Sequence, residues 1–165
     1  MEFRDVPVAS FEVGTATVTA NPVSHSGPTV GYRIEDAGVS MTYIPDHEPA
    51  HGKDLDDVDA EWISGFFLAH KTDLLLHDSQ YTEDEYPKYI GWGHSSVRHA
   101  VTFAQKAEVK KLLLFHHDPT HSDAALESLQ VRAKNLWGSS NGDSPTLAFE
   151  GMEIQVGSEL PAPAV

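Results

Sequence analysis

Titratable side chains gather at a few points of the sequence, and most of these points follow an apolar run. In residues 112–123, the run Leu-Leu-Leu-Phe is followed at once by His116, His117, Asp118 and Pro119. Four apolar residues in a row are typical of a strand that is buried on both faces. The carboxyl end of such a strand is where open α/β sheets place ligands and chemistry.

Three more polar positions follow predicted strands in the same way: His25, Asp46 with its neighbour His47, and Asp78. His94 is a fifth candidate and lies in the stretch Gly-Trp-Gly-His-Ser-Ser. Strand ends at one edge of a sheet converge, so we expect these groups to share one site. Imidazole nitrogen and carboxylate oxygen suit zinc, manganese or iron, and paired ions can activate water and clamp a phosphoryl group. The alternative is an α/β domain whose histidines are incidental.

Composition limits the partners of such a site. The chain has no cysteine, so any metal must be held by histidine and carboxylate. With 11 basic and 25 acidic residues, the net charge of −14 argues against a nucleic-acid groove or an anionic membrane. An anionic substrate remains compatible, because a bound metal reverses the local field. No apolar run has membrane-spanning length and the first residues lack the apolar core of a signal peptide, so we expect a cytoplasmic protein.

The patterns that must position these residues predict strands first and then alternating helices and strands. Strands are predicted at 9–13, 16–25, 29–35, 39–45, 73–78 and 111–115, helices at 58–70, 96–107 and 123–137, and a last hairpin at 145–149 and 152–156. A long loop with one helical turn is predicted at 79–94. This order favours a mixed sheet with helices on one face. We expect one domain over 1–157 and a disordered tail over 158–165.

The acidic residues between Asp46 and Glu85 are expected to form a solvated surface rather than a calcium site. They lack the Asp-x-Asp-x-Asp-Gly spacing of an EF-hand loop. His121 is likewise expected at the surface, near the start of the last helix.

Five segments together resemble the metallo-β-lactamase-fold hydrolases, in particular the branch of ribonuclease Z-type endonucleases and phosphodiesterases. They are residues 24–34 (Ser-His-Ser-Gly-Pro-Thr-Val-Gly-Tyr-Arg-Ile), 39–46, 72–78, 93–96 and 111–116. The segments occur in the family's order and cover about residues 10–120. The resemblance implies an α/β fold, the αββα sandwich, of which this chain is similar to the carboxyl-terminal βα half.

The resemblance also implies residue roles. His25, Asp46 and His116 match metal ligands, with Asp46 bridging two divalent ions, zinc first and manganese or iron as alternatives. His94 matches a catalytic proton donor and Asp78 the carboxylate that orients it. His117 and Asp118 follow as supporting groups, unless they only close the turn before Pro119. Tyr81 and Trp92 are candidate walls of a substrate pocket, with packing over the sheet as the alternative.

One departure from the family is large. The signature His-x-His-x-Asp-His, which supplies most ligands of both ions, should precede His25 and does not occur in the 165 residues. Three ligands divided between two ions leave both under-coordinated, so metal occupancy in this chain alone is doubtful. We therefore expect a hydrolase of phosphodiester or small-molecule substrates that is incomplete or inactive as this chain alone.

Two explanations of this departure remain open. Either the sequence is a part of a larger or split protein, or it is a diverged half-domain that serves as a non-catalytic binding or regulatory module. A lone half would expose an apolar sheet face, so we expect the missing amino-terminal half or self-association to cover it.

Overall fold

A single seven-stranded sheet forms the centre of the molecule in the computed structural model, which describes residues 8–49, 51–138 and 143–157. The strands are β1 (Ser10–Val13), β2 (Ala16–Pro22), β3 (Val30–Asp36), β4 (Val39–Ile44), β5 (Leu74–Asp78), β6 (Leu112–Phe115) and β7 (Thr146–Leu147). Their order in space is their order in the chain. β1 to β4 form an antiparallel meander, and β4 to β7 pair in parallel.

The strand directions bring several carboxyl ends to one edge. β2 and β4 each run antiparallel to β3, and β5 and β6 run parallel to β4. The carboxyl ends of β2, β4, β5 and β6 therefore lie on the same side, here called the site edge. His25, Asp46, Asp78 and His116 all lie at or just after these ends.

Helices cover one face of the sheet, as predicted. They are α1 (Phe66–Ala69), α2 (Val97–Lys106) and α3 (Asp123–Trp137). The sheet residues Ile44, Leu75 and Leu114 are fully buried in one core with residues of these helices. Each such side chain contributes about 1.5–3 kcal/mol by leaving water. The α/β class with a mixed sheet and helices on one face is thus confirmed.

The predicted helices at 96–107 and 123–137 are confirmed to within one residue at each end. Their capping residues account for this agreement. The hydroxyl oxygens of Ser96 and Ser122 accept hydrogen bonds from the backbone N–H groups of His99 and Ala125. Gly138, with a φ of +75°, ends the second helix.

The helix predicted at 58–70 is wrong. The chain forms 3-10 turns at Leu55–Asp57 and Ala60–Trp62, and only one α-helical turn follows in α1. Gly65 interrupts the pattern, since its φ of +74° lies outside the helical region and its position is tight against Ile44 and His47. Trp62 is 78% exposed as a result, so it does not join the core.

The hairpin predicted at 145–149 and 152–156 is also wrong. β7 is a two-residue strand that pairs in parallel with β6, and residues 152–156 form no strand. The alternating apolar residues Met152, Ile154 and Val156 instead line a cavity against the sheet face opposite the helices. The apolar residues alternate because this extended segment lies over the face of the sheet, without pairing to a neighbouring strand through hydrogen bonds.

Two further expectations concern the carboxyl-terminal tail and His121. The predicted tail at 158–165 lies outside the described residues. His121, expected at the surface, has a side chain only 8% exposed, and its Nε2 lies 3.0 Å from Oε1 of Glu85. The contact between His121 and Glu85 connects the loop before His94 to the start of α3. In the described part of the chain, no helix has the length and apolar character needed to span a membrane.

Candidate metal centre

Five of the predicted site residues converge at the site edge. His25 follows β2, Asp46 follows β4, Asp78 ends β5, and His116 directly follows β6. His94 arrives from the loop that precedes α2. Potential ligand atoms of His25, Asp46 and His94 lie within 4.8 Å of one another, and so do those of Asp78, His94 and His116.

The predicted ligands are divided between these two sets. His25 belongs to one set and His116 to the other, and Oδ1 of Asp46 lies 3.4 Å from Nε2 of His116. The carboxylate of Asp46 thus stands between the two histidines. This is the position that a bridging carboxylate requires, while the assignment of ligands stays a prediction.

His94 occupies the middle of the cluster. Its ring stacks on that of His116, with ring centres 4.8 Å apart and planes at 9°, and meets the edge of His25 at 5.0 Å. Nδ1 of His94 lies 2.6 Å from Oδ2 of Asp78. Since Nδ1–H donates to that carboxylate, Nε2 is the nitrogen left for a proton or a metal.

Asp78 orients His94 and is itself fixed by hydrogen bonds from the surrounding backbone. The residue is fully buried, and its carboxylate accepts hydrogen bonds from the backbone N–H groups of His47, Gln80 and Ser95. With both oxygens occupied in this way, Asp78 is better suited to orient His94 than to bind an ion directly.

The environment of His94 favours its charged form. Burial lowers the pKa of His94, but the hydrogen bond and the negative charge of Asp78 outweigh burial and raise this pKa above its usual value. A histidine of this kind carries a proton that it can donate.

His25 is oriented by a backbone carbonyl. Its Nδ1 donates to the carbonyl oxygen of Gly93 at 2.8 Å, which leaves the lone pair on Nε2, where the hydroxyl oxygen of Ser26 lies 3.4 Å away. The approach is close, because a Cβ atom on Gly93 would lie 2.1 Å from Nδ1 of His25. Gly93 has a φ of +96°, so glycine is required here for both reasons.

His116 has an unusual backbone conformation. Its φ is +58°, in the left-handed region that few residues other than glycine adopt. Strain of this kind collects at functional sites, where it aims a side chain. The Nδ1 atom of His116 is buried and has no hydrogen-bond partner, so the ring offers a further open nitrogen.

The donor set fits a divalent metal ion. It combines imidazole nitrogens and carboxylate oxygens, the groups that bind zinc, manganese and iron, and it includes the buried, unpartnered Nδ1 of His116. The ligand-forming atoms lie at one edge, after β2, β4 and β6, at the end of β5 and before α2.

The two predicted supporting residues differ in placement. Asp118 accepts hydrogen bonds from the backbone N–H and the hydroxyl of Thr120, and its carbonyl accepts from the N–H of His121. Asp118 therefore closes the turn before α3. His117 is partly buried, and burial lowers its pKa.

The two predicted pocket residues lie in one aromatic row beside His94. Tyr81 is only 3% exposed and stacks on Tyr89 at 4.5 Å, while its ring centre lies 6.3 Å from that of His94. Trp92 is 60% exposed and meets the edge of Tyr89. Tyr81 thus packs beneath the loop and Trp92 faces solvent. Contact with a substrate stays a prediction for both.

Sequence reasoning assigned no role to three buried polar residues at the site edge: His47, Glu48 and His77. All three are fully buried. His77 donates through Nδ1 to the carbonyl of Asp78, and its Nε2 accepts from Nδ1 of His47 at 2.8 Å. Burial lowers the pKa of both histidines, that of His77 to about 4. The signal in the sequence was their position, because His47 and His77 are adjacent to an aspartate at a strand end and Glu48 lies two residues after one.

Comparison with known proteins gives one family over most of the chain. A family model described as the beta-lactamase superfamily domain matches residues 5–117. Among curated proteins, a ribonuclease Z of Salinibacter ruber is 31% identical over 96 residues, which are 58% of this chain and 26% of that protein.

Solved structures agree in fold. The metallo-beta-lactamase fold protein YhfI of Bacillus subtilis matches 90% of this chain and 53% of its own, with a TM-score of 0.68 and 20% identity. The short form of human tRNase Z matches 90% of this chain and 46% of its own, with a TM-score of 0.62 and 23% identity. The chain spans between a quarter and about half of these three proteins.

Proposed function

The chain belongs to the β-lactamase superfamily, and from that premise we propose that its site takes part in metal-dependent hydrolysis of a phosphodiester bond. The observation that carries the proposal is the convergence of His25, Asp46, Asp78, His94 and His116 at the site edge. The similarity to ribonuclease Z proteins supports a phosphodiester as the substrate class.

The donor atoms suggest how metal ions would be held. His25 and His116 would each offer an imidazole nitrogen to a different ion, with Asp46 between them. Zinc suits this set best, and manganese or iron are alternatives. When bound, such ions lower the pKa of water and stabilise negative charge on phosphoryl oxygens.

The protein's own groups would handle the leaving oxygen. His94 holds a proton at pH values where an ordinary histidine has begun to lose it, since Asp78 raises its pKa. We assign His94 the role of donating this proton to the leaving oxygen, and Asp78 the role of fixing its ring.

The charge of the chain makes metal ions important for binding as well. An anionic phosphodiester would approach a protein of net charge −14 and a site that contains two carboxylates. Bound cations would reverse the sign of the field at this point. The chain's own basic residues are too few to do so.

The ligand set is only partial in the proposed scheme. Three protein ligands for two ions fall short of the three or four that each zinc usually takes. We propose that a segment bearing the His-x-His-x-Asp-His motif, in the same or another protein, completes the site. The sheet face opposite the helices is the surface that such a segment would cover.

The experiment compares the chain alone with the chain co-expressed with a motif-bearing segment. Zinc, manganese and iron are measured in both samples, and hydrolysis of a bis-aryl phosphodiester is followed. We expect low metal content and no turnover for the chain alone, and both metal and turnover in the pair. His25→Ala and His116→Ala should each lower the metal content of the pair.

The opposite result supports the other reading. The alternative is a binding or regulatory module that kept the fold and lost the metals. A pair that assembles but holds no metal and cleaves no phosphodiester would establish that reading and reject the hydrolase.

A further inference from the structure

Glu48 is a fully buried carboxylate at the site edge that has no role in the scheme above. It lies two residues after Asp46. Its oxygens accept hydrogen bonds from the N–H of Gly91 at 2.9 Å, the N–H of Gly93 at 2.9 Å and the hydroxyl of Tyr86 at 2.7 Å. Burying a carboxylate costs free energy unless its oxygens accept hydrogen bonds, so these three donors offset the cost of burying Glu48.

The contacts of Glu48 fix the turn that precedes His94. Gly91 and Gly93 have φ values of +86° and +96°, which only glycine adopts readily. Such a turn directs two backbone N–H groups towards one point, and the carboxylate of Glu48 occupies that point. Burial, followed by the hydrogen bond and charge of Glu48, raises the pKa of Tyr86, so its hydroxyl remains a donor.

Glu48 also holds the loop that carries His25. Its backbone N–H donates to the carbonyl of Ser24 at 2.8 Å. One residue therefore joins the loop after β2 to the turn before α2, by its backbone on one side and its side chain on the other.

The position of the turn at Gly91 and Gly93 determines which nitrogen of His25 carries the proton. The carbonyl of Gly93 can only accept, and it lies 2.8 Å from Nδ1 of His25. Nδ1 must therefore be the protonated nitrogen of the neutral ring, and Nε2 must carry the lone pair. A metal ligand needs that lone pair, and a partner on the other nitrogen sets it.

We propose that Glu48 is a positioning residue that fixes the Nδ1–H tautomer and the orientation of His25 by holding Gly93. The consequence for metal binding rests on the proposed function. The tautomer itself is a property of the metal-free chain, so it can be measured whether or not the protein is a hydrolase.

Two substitutions separate this role from a general effect on stability. Glu48→Gln keeps the size of the side chain but leaves one accepting oxygen, in place of two, for the three donors Gly91, Gly93 and Tyr86. Asp73→Asn is the matched control. Asp73 also accepts a backbone N–H, that of Ser40, but it lies before β5, at the opposite edge of the sheet.

The experiment is long-range ¹H–¹⁵N NMR of the histidine rings in the metal-free full chain. We expect His25 of the unmodified chain and of Asp73→Asn to show a protonated Nδ1 and an unprotonated Nε2. In Glu48→Gln, both tautomers should be populated. A protonated Nε2 in the unmodified chain, or an unchanged His25 in folded Glu48→Gln, would overturn the proposal.

A milder variant covers the case in which Glu48→Gln does not fold. Tyr86→Phe removes one of the donors to the same carboxylate and should shift the His25 tautomers in the same direction by a smaller fraction. An unshifted His25 in Tyr86→Phe would then reject the role.

Zinc affinity of each full chain paired with the motif-bearing segment, measured by competition with a chromophoric chelator, gives the second readout. We expect Glu48→Gln to bind about 10–100-fold more weakly than the unmodified chain, as for other groups that orient metal ligands, while Asp73→Asn binds like the unmodified chain. A tautomer shift in a chain whose assembled pair binds no zinc would reject the proposed function and leave the role of Glu48 intact. Equal zinc affinity in all three proteins, with zinc bound, would reject the role of Glu48 in metal binding.

Discussion

At the scale of single residues, the site combines side chains at strand ends with a buried carboxylate, Glu48, that a distant turn surrounds. His25, Asp46 and His116 could be selected because each follows a strand that sequence pattern alone predicts. Glu48 could not, since it begins an acidic stretch that is typical of solvated surface, and its burial depends on a turn of Gly91 and Gly93 that lies over 40 residues away. The left-handed backbone of His116 has only a weak signal in its residue type, because histidine is enriched at positive φ but adopts it in few cases.

The role of His94 gives a prediction at this scale. His94→Ala in the assembled enzyme should lower turnover about 10²–10⁴-fold, the usual effect of losing a general acid. Metal content should change little, because His25, Asp46 and His116 remain. Turnover on a bis-aryl phosphodiester and metal analysis of the same sample measure both quantities.

His94 also lies within reach of both ligand sets, so the opposite result is informative. A loss of metal in proportion to the loss of turnover would mean that His94 is a ligand, and the proton-donor role would be wrong.

At the scale of elements, local signals decided which predictions succeeded. α2 and α3 were predictable because each has a serine cap and an apolar stripe with helical spacing. The stretch 58–70 has the same spacing of apolar residues, but Gly65 and the tight space around it impose a different backbone. The segment 152–156 alternates like a strand, yet it has no strand beside it, because its apolar residues cover the sheet instead.

The edge opposite the site contains a polar link between elements. The carboxylate of Asp73, just before β5, accepts hydrogen bonds from the N–H and the hydroxyl of Ser40 in β4 and from Nζ of Lys110 before β6. The hydrogen bond from Lys110, opposed by burial and joined by those from Ser40, lowers the pKa of Asp73 below its usual 3.8. This link therefore depends on an ionised carboxylate.

The pH dependence of this link follows from the sign of the shift. A lowered native pKa adds stability above the unfolded value near 4, and that stability is lost as pH falls through the native pKa. Asp73→Asn should lower the free energy of unfolding by about 1–2 kcal/mol at pH 7, and the difference should shrink below pH 4. Urea unfolding at several pH values measures it.

Lys110→Met is the control for the ion pair alone. Lys110 is 71% exposed, so its removal should cost less than about 1 kcal/mol. If Asp73→Asn destabilised the chain equally at pH 7 and pH 3, an ionised Asp73 would not be the cause.

At the scale of the whole molecule, the two faces of the sheet differ. Helices seal one face, while Met41, Leu76 and Phe115 on the other are only partly buried beneath residues 148–156. Phe149, in the same cavity wall, is 67% exposed. The half-sandwich resemblance predicts that a partner covers this face, and this expectation stays a prediction.

We expect the purified chain to self-associate through this face, because burying apolar surface is favourable and few charges oppose contact there. Sedimentation velocity should show species heavier than a monomer, and Phe149→Ser should reduce them. Phe67→Ser removes an aromatic side chain that is 72% exposed on the helical side, so it is the matched control. Equal effects of the two variants, or a strictly monomeric chain, would contradict the prediction.

The agreement between strand order and chain order has a consequence for how the site forms during folding. Each strand pairs with the one synthesised just before it, so the sheet can grow at a single edge. The connections are short between β1 and β4 and are crossovers of about 30 residues from β4 onward. His25 and Asp46 come into register with the antiparallel meander, whereas His116 arrives only when β6 pairs with β5. The cluster therefore cannot be complete before β6 pairs with β5, and a nascent chain that has not yet formed β6 has only part of the donor set to offer a metal ion.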